Sequence, residues 1–134
     1  MRLTKRYRFS ASHRLDLTAL TPGQNRTLFG KCNNPYGHGH DYTVDITVEG
    51  SPDESGQLVN RAALDAFVKQ RILERLDHKD LNRDVAELSG VVPTTENLAV
   101  AVRDVLLDKW SLPARLARVR ISETDRNIFE LETK

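Results

Sequence analysis

Residues 38 to 49, HGHDYTVDITVE, restrict the possible folds of this chain more than any other stretch. The even positions are His38, His40, Tyr42, Val44, Ile46 and Val48, and the odd ones are Gly39, Asp41, Thr43, Asp45, Thr47 and Glu49. A repeat of two places these sets on opposite faces of a β-strand, so one face needs an apolar layer and the other tolerates water. Such one-sided strands belong to antiparallel sheets covered on a single face.

Three other segments carry the same period. From Leu3 to His13 the odd positions are Leu3, Lys5, Tyr7, Phe9, Ala11 and His13, an apolar series broken only by Lys5. From Leu116 to Glu123, Ala117, Val119, Ile121 and Glu123 oppose Arg118, Arg120 and Ser122, and IFELE at 128–132 reads as a short last strand. Between these pairs the period changes to that of a helix. Asn60 is placed to cap a helix running to about Leu76, with Leu64, Phe67, Val68 and Ile72 on one side. A second helix starts at PTTEN, capped by Thr94 or Thr95, with an apolar stripe of Leu98, Val102, Val105 and Leu106. The order ββααββ predicts an α+β fold in which a four-stranded antiparallel sheet carries two helices on one face. With no repeat and no linker rich in Pro, Gly or Ser, residues 1–134 are expected to form a single domain.

Composition narrows the partners. Twenty Lys and Arg against nineteen Asp and Glu leave a net charge of +1, which argues against a nucleic-acid binder held by phosphate contacts. No apolar run approaches the roughly 20 residues of a membrane span, and MRLTKRYRFS lacks the apolar stretch of a signal peptide, so a cytoplasmic protein is expected. A single cysteine cannot form an internal disulfide, which leaves its thiol inert or reactive.

The chemistry lies in GKCNNPYGHGHDY, residues 30–42. His38 and His40 share the apolar face of their strand, and an antiparallel hairpin sets the end of the first strand, with His13, beside them. Three imidazoles with a fourth position free match catalytic zinc, although a His-x-His pair alone can simply end a strand. Cys32 has two roles open, fourth ligand or base, and it follows Lys31 in a loop where a thiolate is favoured. Asp77 beside His78, in LDHKDLN, reads as a solvated helix end or, if it reaches Cys32, as a proton relay. Glu123 on an apolar face needs donors to offset its desolvation, from an arginine or from a ligand with adjacent N–H groups. Thr94 and Thr95 read first as caps.

The segments FSASHRL, LFGKCNNPYGHGHDY, LVN, LDHKDLN, TTEN and ETDRNI, in this order, resemble the 6-pyruvoyl-tetrahydropterin synthase family across nearly the whole chain. The resemblance implies that His13, His38 and His40 bind Zn2+, that Cys32 is the catalytic base assisted by Asp77 and His78, and that Glu123 anchors a pterin beside Thr94 and Thr95. It implies the T-fold, in which sheets of three subunits close a barrel and two trimers stack into a homohexamer with sites between subunits. The implied reaction is the conversion of 7,8-dihydroneopterin triphosphate to 6-pyruvoyl-tetrahydropterin and triphosphate. Two alternatives stand beside it, a 6-carboxy-tetrahydropterin synthase of the queuosine route and a non-catalytic pterin- or zinc-binding module. In the 6-carboxy enzymes the cysteine sits closer to the paired histidines, whereas here five residues separate Cys32 from His38. Asp41 and Arg126 depart from the family pattern.

Overall fold

The computed structural model describes residues 1–133. Strands β1 (Arg2–His13), β2 (His38–Glu49), β3 (Lys79–Asp80), β4 (Arg115–Ser122) and β5 (Ile128–Glu132) form one sheet in the order β3-β1-β2-β4-β5. All neighbours are antiparallel except β1 and β3, which run parallel. The sheet therefore has five strands where four were expected. The extra one is two residues long and pairs with β1 only at Ala11 and Ser12, too short to leave a polarity pattern.

Helices α2 (Arg61–Val68) and α4 (Thr95–Asp108) lie against the apolar face. Asn60 caps α2 by accepting the Ala63 N–H at 3.0 Å, and the helix continues through a π turn, Lys69–Leu73, into α3 (Glu74–Leu76). Thr94 is the N-cap of α4, accepting the Asn97 N–H at 3.2 Å. Helix α1 (Pro22–Phe29) was not anticipated. Its apolar residues form no stripe, but it starts with a capping box, Thr21 with Gln24, and has Pro22 at its first position.

The core joins Phe9, Tyr42, Val44, Ile46, Val119 and Ile121 of the sheet to Leu64, Val68, Leu98, Val102 and Leu106 of the helices. Burying such a side chain is worth about 1.5–3 kcal/mol, so the alternation in β1, β2 and β4 makes the opposite register costly. Lys5 faces inward with the rest of its set and reaches Asp65 of α2 at 3.0 Å, where Tyr7 also donates its hydroxyl at 2.7 Å. The break in the apolar series is thus a polar tie between β1 and α2. In β4 the register slips after Thr47, so that Leu116, not Ala117, pairs with Val48 and both are buried. Among the described residues no helix is long and apolar enough to cross a membrane.

Candidate active site

The ladder between β1 and β2 ends on the pair His13 and His38, with Ala11 opposite His40, so the strand register alone brings three imidazoles to one end of the sheet. Gly37 makes the approach to β2 possible: its φ is +82°, and a Cβ there would lie 3.0 Å from the His13 carbonyl oxygen. His13 is buried, and its Nδ1 donates to the Pro93 carbonyl at 2.9 Å, which leaves the Nε2 lone pair directed at the site. The His38 ring stands edge-on to that of His40 with centroids 4.7 Å apart.

Cys32 arrives from the other side on a 3-10 turn, Gly30–Asn33. This turn is fastened to the chain beyond β1: Leu15 N–H donates to the Cys32 carbonyl at 2.7 Å, and the Asn33 amide donates to Leu15 O at 2.7 Å. The thiol then lies 3.3 Å from His13 Nε2 and 3.6 Å from His40 Nε2. Glu123 enters from the end of β4, where a turn closed by its N–H to Asn127 O holds it. Its Oε1 lies 3.0 Å from His40 Nε2 and 3.8 Å from His13 Nε2. Neither an arginine nor open solvent is the counterpart of this carboxylate, whose side chain is 15% exposed; it faces the imidazoles.

One donor atom from each of His13, Cys32, His40 and Glu123 lies within 4.8 Å of all the others. Imidazole nitrogen, thiolate sulfur and carboxylate oxygen are the donors that zinc takes, so the residues fit a zinc ion. His38 is adjacent to this group but not one of the four. Burial lowers the basicity of His13 and His40, which favours the neutral form that a metal requires. Burial and, after it, the charge of Glu123 push the Cys32 thiol up, against the expectation that its loop position favours the thiolate.

Asp77 and His78 form a pair, Nδ1 to Oδ1 3.1 Å, in which His78 takes a positive φ of 59°. No hydrogen bond joins His78 to Cys32. Its side chain is 81% exposed and lines an open cavity of about 530 Å³ with Ser10, Ser12, Gly39 and Asp41, which stand on the sheet face away from the helices. Ser10 N–H donates to Asp77 Oδ1 at 2.9 Å, and this bond first, with His78 after it, holds the Asp77 carboxyl below the usual range. Asn82 secures the segment by accepting the Arg14 N–H at 2.7 Å and donating to the Arg14 carbonyl at 2.9 Å. The contributions of Asn82 and Ser10 escaped the sequence reading, because side chain to backbone bonds leave no periodic trace. Thr95 is 2% exposed, and its Oγ1 has no hydrogen-bond partner among the described residues.

The 6-pyruvoyl tetrahydropterin synthase family model matches residues 2–134. This chain belongs to that family. The human 6-pyruvoyl tetrahydrobiopterin synthase is 46% identical over 128 residues, covering 94% of this chain and 87% of the human one. The Drosophila melanogaster protein of the same name is 45% identical over 128 residues, 95% of this chain and 76% of its own. The structure of Caenorhabditis elegans 6-pyruvoyl tetrahydropterin synthase superposes with a TM-score of 0.90 at 34% identity, covering 100% of this chain and 96% of that one. Proteins named as 6-carboxy-5,6,7,8-tetrahydropterin synthases also match, at lower identity or over a shorter stretch. As a synthase-family chain of the α+β type, it carries at the end of its sheet a possible metal-binding group of imidazoles, thiol and carboxylate.

Proposed function

We propose that this chain is a zinc-dependent lyase that converts 7,8-dihydroneopterin triphosphate to 6-pyruvoyl-tetrahydropterin with loss of triphosphate. The observation that carries the reading is the gathering of three imidazoles, His13, His38 and His40, with Cys32 and Glu123 at one end of the sheet, in a chain of this family. His13, His38 and His40 would hold the zinc, which when bound supplies a Lewis acid for the hydroxyls of the substrate side chain. Cys32 takes the proton from the adjacent carbon. Because burial and Glu123 oppose its ionisation, its base form depends on the positive charge of the loaded site. His78, oriented by Asp77, moves protons during the tautomerisations and the elimination. Glu123 accepts hydrogen bonds from the amino group and neighbouring ring nitrogen of the pterin, and the unpartnered Thr95 Oγ1 gives the ring a further contact. Thr94, occupied as a cap, lines the same pocket.

The working form in this reading is a homohexamer of two T-fold trimers, whose barrels are closed by strand pairing between subunits. Two features support it. Among the described residues the outer edge of β5 and the edge of β1 before Ala11 have no strand partner, and such edges are usually covered. His78 is 81% exposed and has no hydrogen bond to the Cys32 of its own chain, which supports a reading in which it serves the thiol of a neighbouring subunit. The compartment proposed is the cytoplasm, where a lone thiol stays reduced.

The test is turnover of 7,8-dihydroneopterin triphosphate by the zinc-loaded protein, with pterin products separated by chromatography. Release of 6-pyruvoyl-tetrahydropterin and one triphosphate per turnover is expected. A 6-carboxy product would favour the relatives of that name, and binding without turnover would reduce the chain to a pterin-binding module.

A further inference from the structure

Ser10 and Asp41 face each other across β1 and β2, on the side of the sheet away from the helices. The backbone groups of Ser10 are both turned to the other edge: its N–H goes to Asp77 Oδ1 at 2.9 Å, and its carbonyl accepts the His78 N–H at 2.6 Å. In an antiparallel ladder a residue sends N–H and C=O to the same side, so Ser10 and Asp41 form a pair without main-chain hydrogen bonds. The rung between them is made by side chains alone. Ser10 Oγ donates to Asp41 Oδ1 at 2.5 Å. One residue thus links two carboxylates, Asp41 through its hydroxyl and Asp77 through its amide, and it also holds the backbone of His78, which sits in the left-handed region at φ 59°. A non-glycine residue in that region persists only where its surroundings fix it.

We propose that Asp41 is a positioning residue that acts through Ser10 to hold the Asp77–His78 pair in place for proton transfer. The inference rests on the proposed role of His78, but the link from Asp41 to the His78 backbone stands on geometry alone and is read separately. No titration of Asp41 is needed: what it supplies is an acceptor for one hydroxyl.

Four variants of the zinc-loaded chain test this: Asp41→Ala, Ser10→Ala, the two combined, and, as the control, Asp41→Asn. Hydrogen exchange at the His78 amide, followed by NMR, reads the positioning without any substrate. Each single variant should speed that exchange about tenfold, the scale of one hydrogen bond to a charged acceptor, and the double variant should exchange no faster than either. Asp41→Asn keeps an acceptor oxygen and should restore slow exchange. Turnover of 7,8-dihydroneopterin triphosphate should fall about tenfold in kcat in the single variants, with KM and zinc content kept. Unchanged His78 exchange in both single variants, or additive effects in the double, would overturn the link. Faster exchange with unaltered kcat would overturn the catalytic role of the link. If the parent protein itself fails to turn over, the proposed reaction fails, and the exchange data still decide the positioning.

Discussion

Cys32 stands 3.3 Å from His13 Nε2 and 3.6 Å from His40 Nε2, close enough for either of two jobs, donor to a metal or base toward substrate. One substitution separates them. Cys32→Ala is expected to keep one zinc per chain, measured by mass spectrometry of the metal, while kcat falls by about 10²–10⁴, the usual contribution of a positioned base. Loss of zinc with the thiol would make Cys32 the fourth ligand. Glu123 poses a parallel choice, because its Oε1 is 3.0 Å from His40 Nε2. In Glu123→Gln one acceptor oxygen becomes a donor, which under the proposed anchoring would meet a pterin N–H donor to donor. Calorimetry with a dihydropterin should show binding weakened by roughly 2–4 kcal/mol with zinc unchanged, the scale for disturbing a buried charged hydrogen bond. Unaltered affinity with less zinc would instead make Glu123 a metal donor. The histidines were legible from strand parity, and Glu123 stood out as a carboxylate on an apolar face. That Glu123 turns to His40, and Asp41 to Ser10, depends on chain segments far apart in sequence.

The tie between β1 and α2 rests on Asp65, which accepts from the Tyr7 hydroxyl at 2.7 Å and pairs with Lys5 at 3.0 Å. The Tyr7 hydrogen bond first, then Lys5, holds the Asp65 carboxyl below its ordinary range. A depressed carboxyl contributes stability that is present above the unfolded-state value, about 3.9, and that is lost as pH falls through the folded value. Asp65 is partly exposed, so solvent screening limits the contribution to about 1 kcal/mol. Urea titrations should therefore show Asp65→Asn less stable than the parent by about that amount at pH 7, with the gap narrowing as pH falls below about 4. A gap of the same size at both pH values would remove the charge from the account. Of the elements, β1, β2, α2, α4, β4 and β5 could be read from periodicity and caps, since those depend on near neighbours. The π turn at Lys69–Leu73 and the register slip beside Ala117 could not, because packing against distant partners sets both.

The proposed hexamer would bring these parts to one chemical task. If each site takes Cys32 from one subunit and His78 from another, two inactive proteins can repair each other. Cys32→Ala and His78→Ala chains, unfolded and refolded together, should regain about a quarter of parental activity, because half of the mixed sites hold an intact cysteine and half of those an intact histidine. Each variant refolded alone should stay inactive. A mixture no more active than its components would place both residues of a site in one chain, as would an active monomer in sedimentation.

The polarity pattern by itself determined that β1 and β2 are one-sided strands and that His13, His38 and His40 share the buried side. Side-chain direction in a strand alternates with each residue whatever lies beyond, so parity needs no knowledge of the rest of the chain. Only the tertiary structure decided what meets those imidazoles. Cys32 reaches them because the turn after α1 is bonded to Leu15, and Glu123 because β4 pairs with β2 in a register that ends on Thr43 and Ser122, the residue before it. The segment around His78 became an edge of the sheet because Ser10, Ser12 and Arg14 offer it backbone partners. Those contacts join residues well separated in the sequence, and their energy exists only once the core has closed around them.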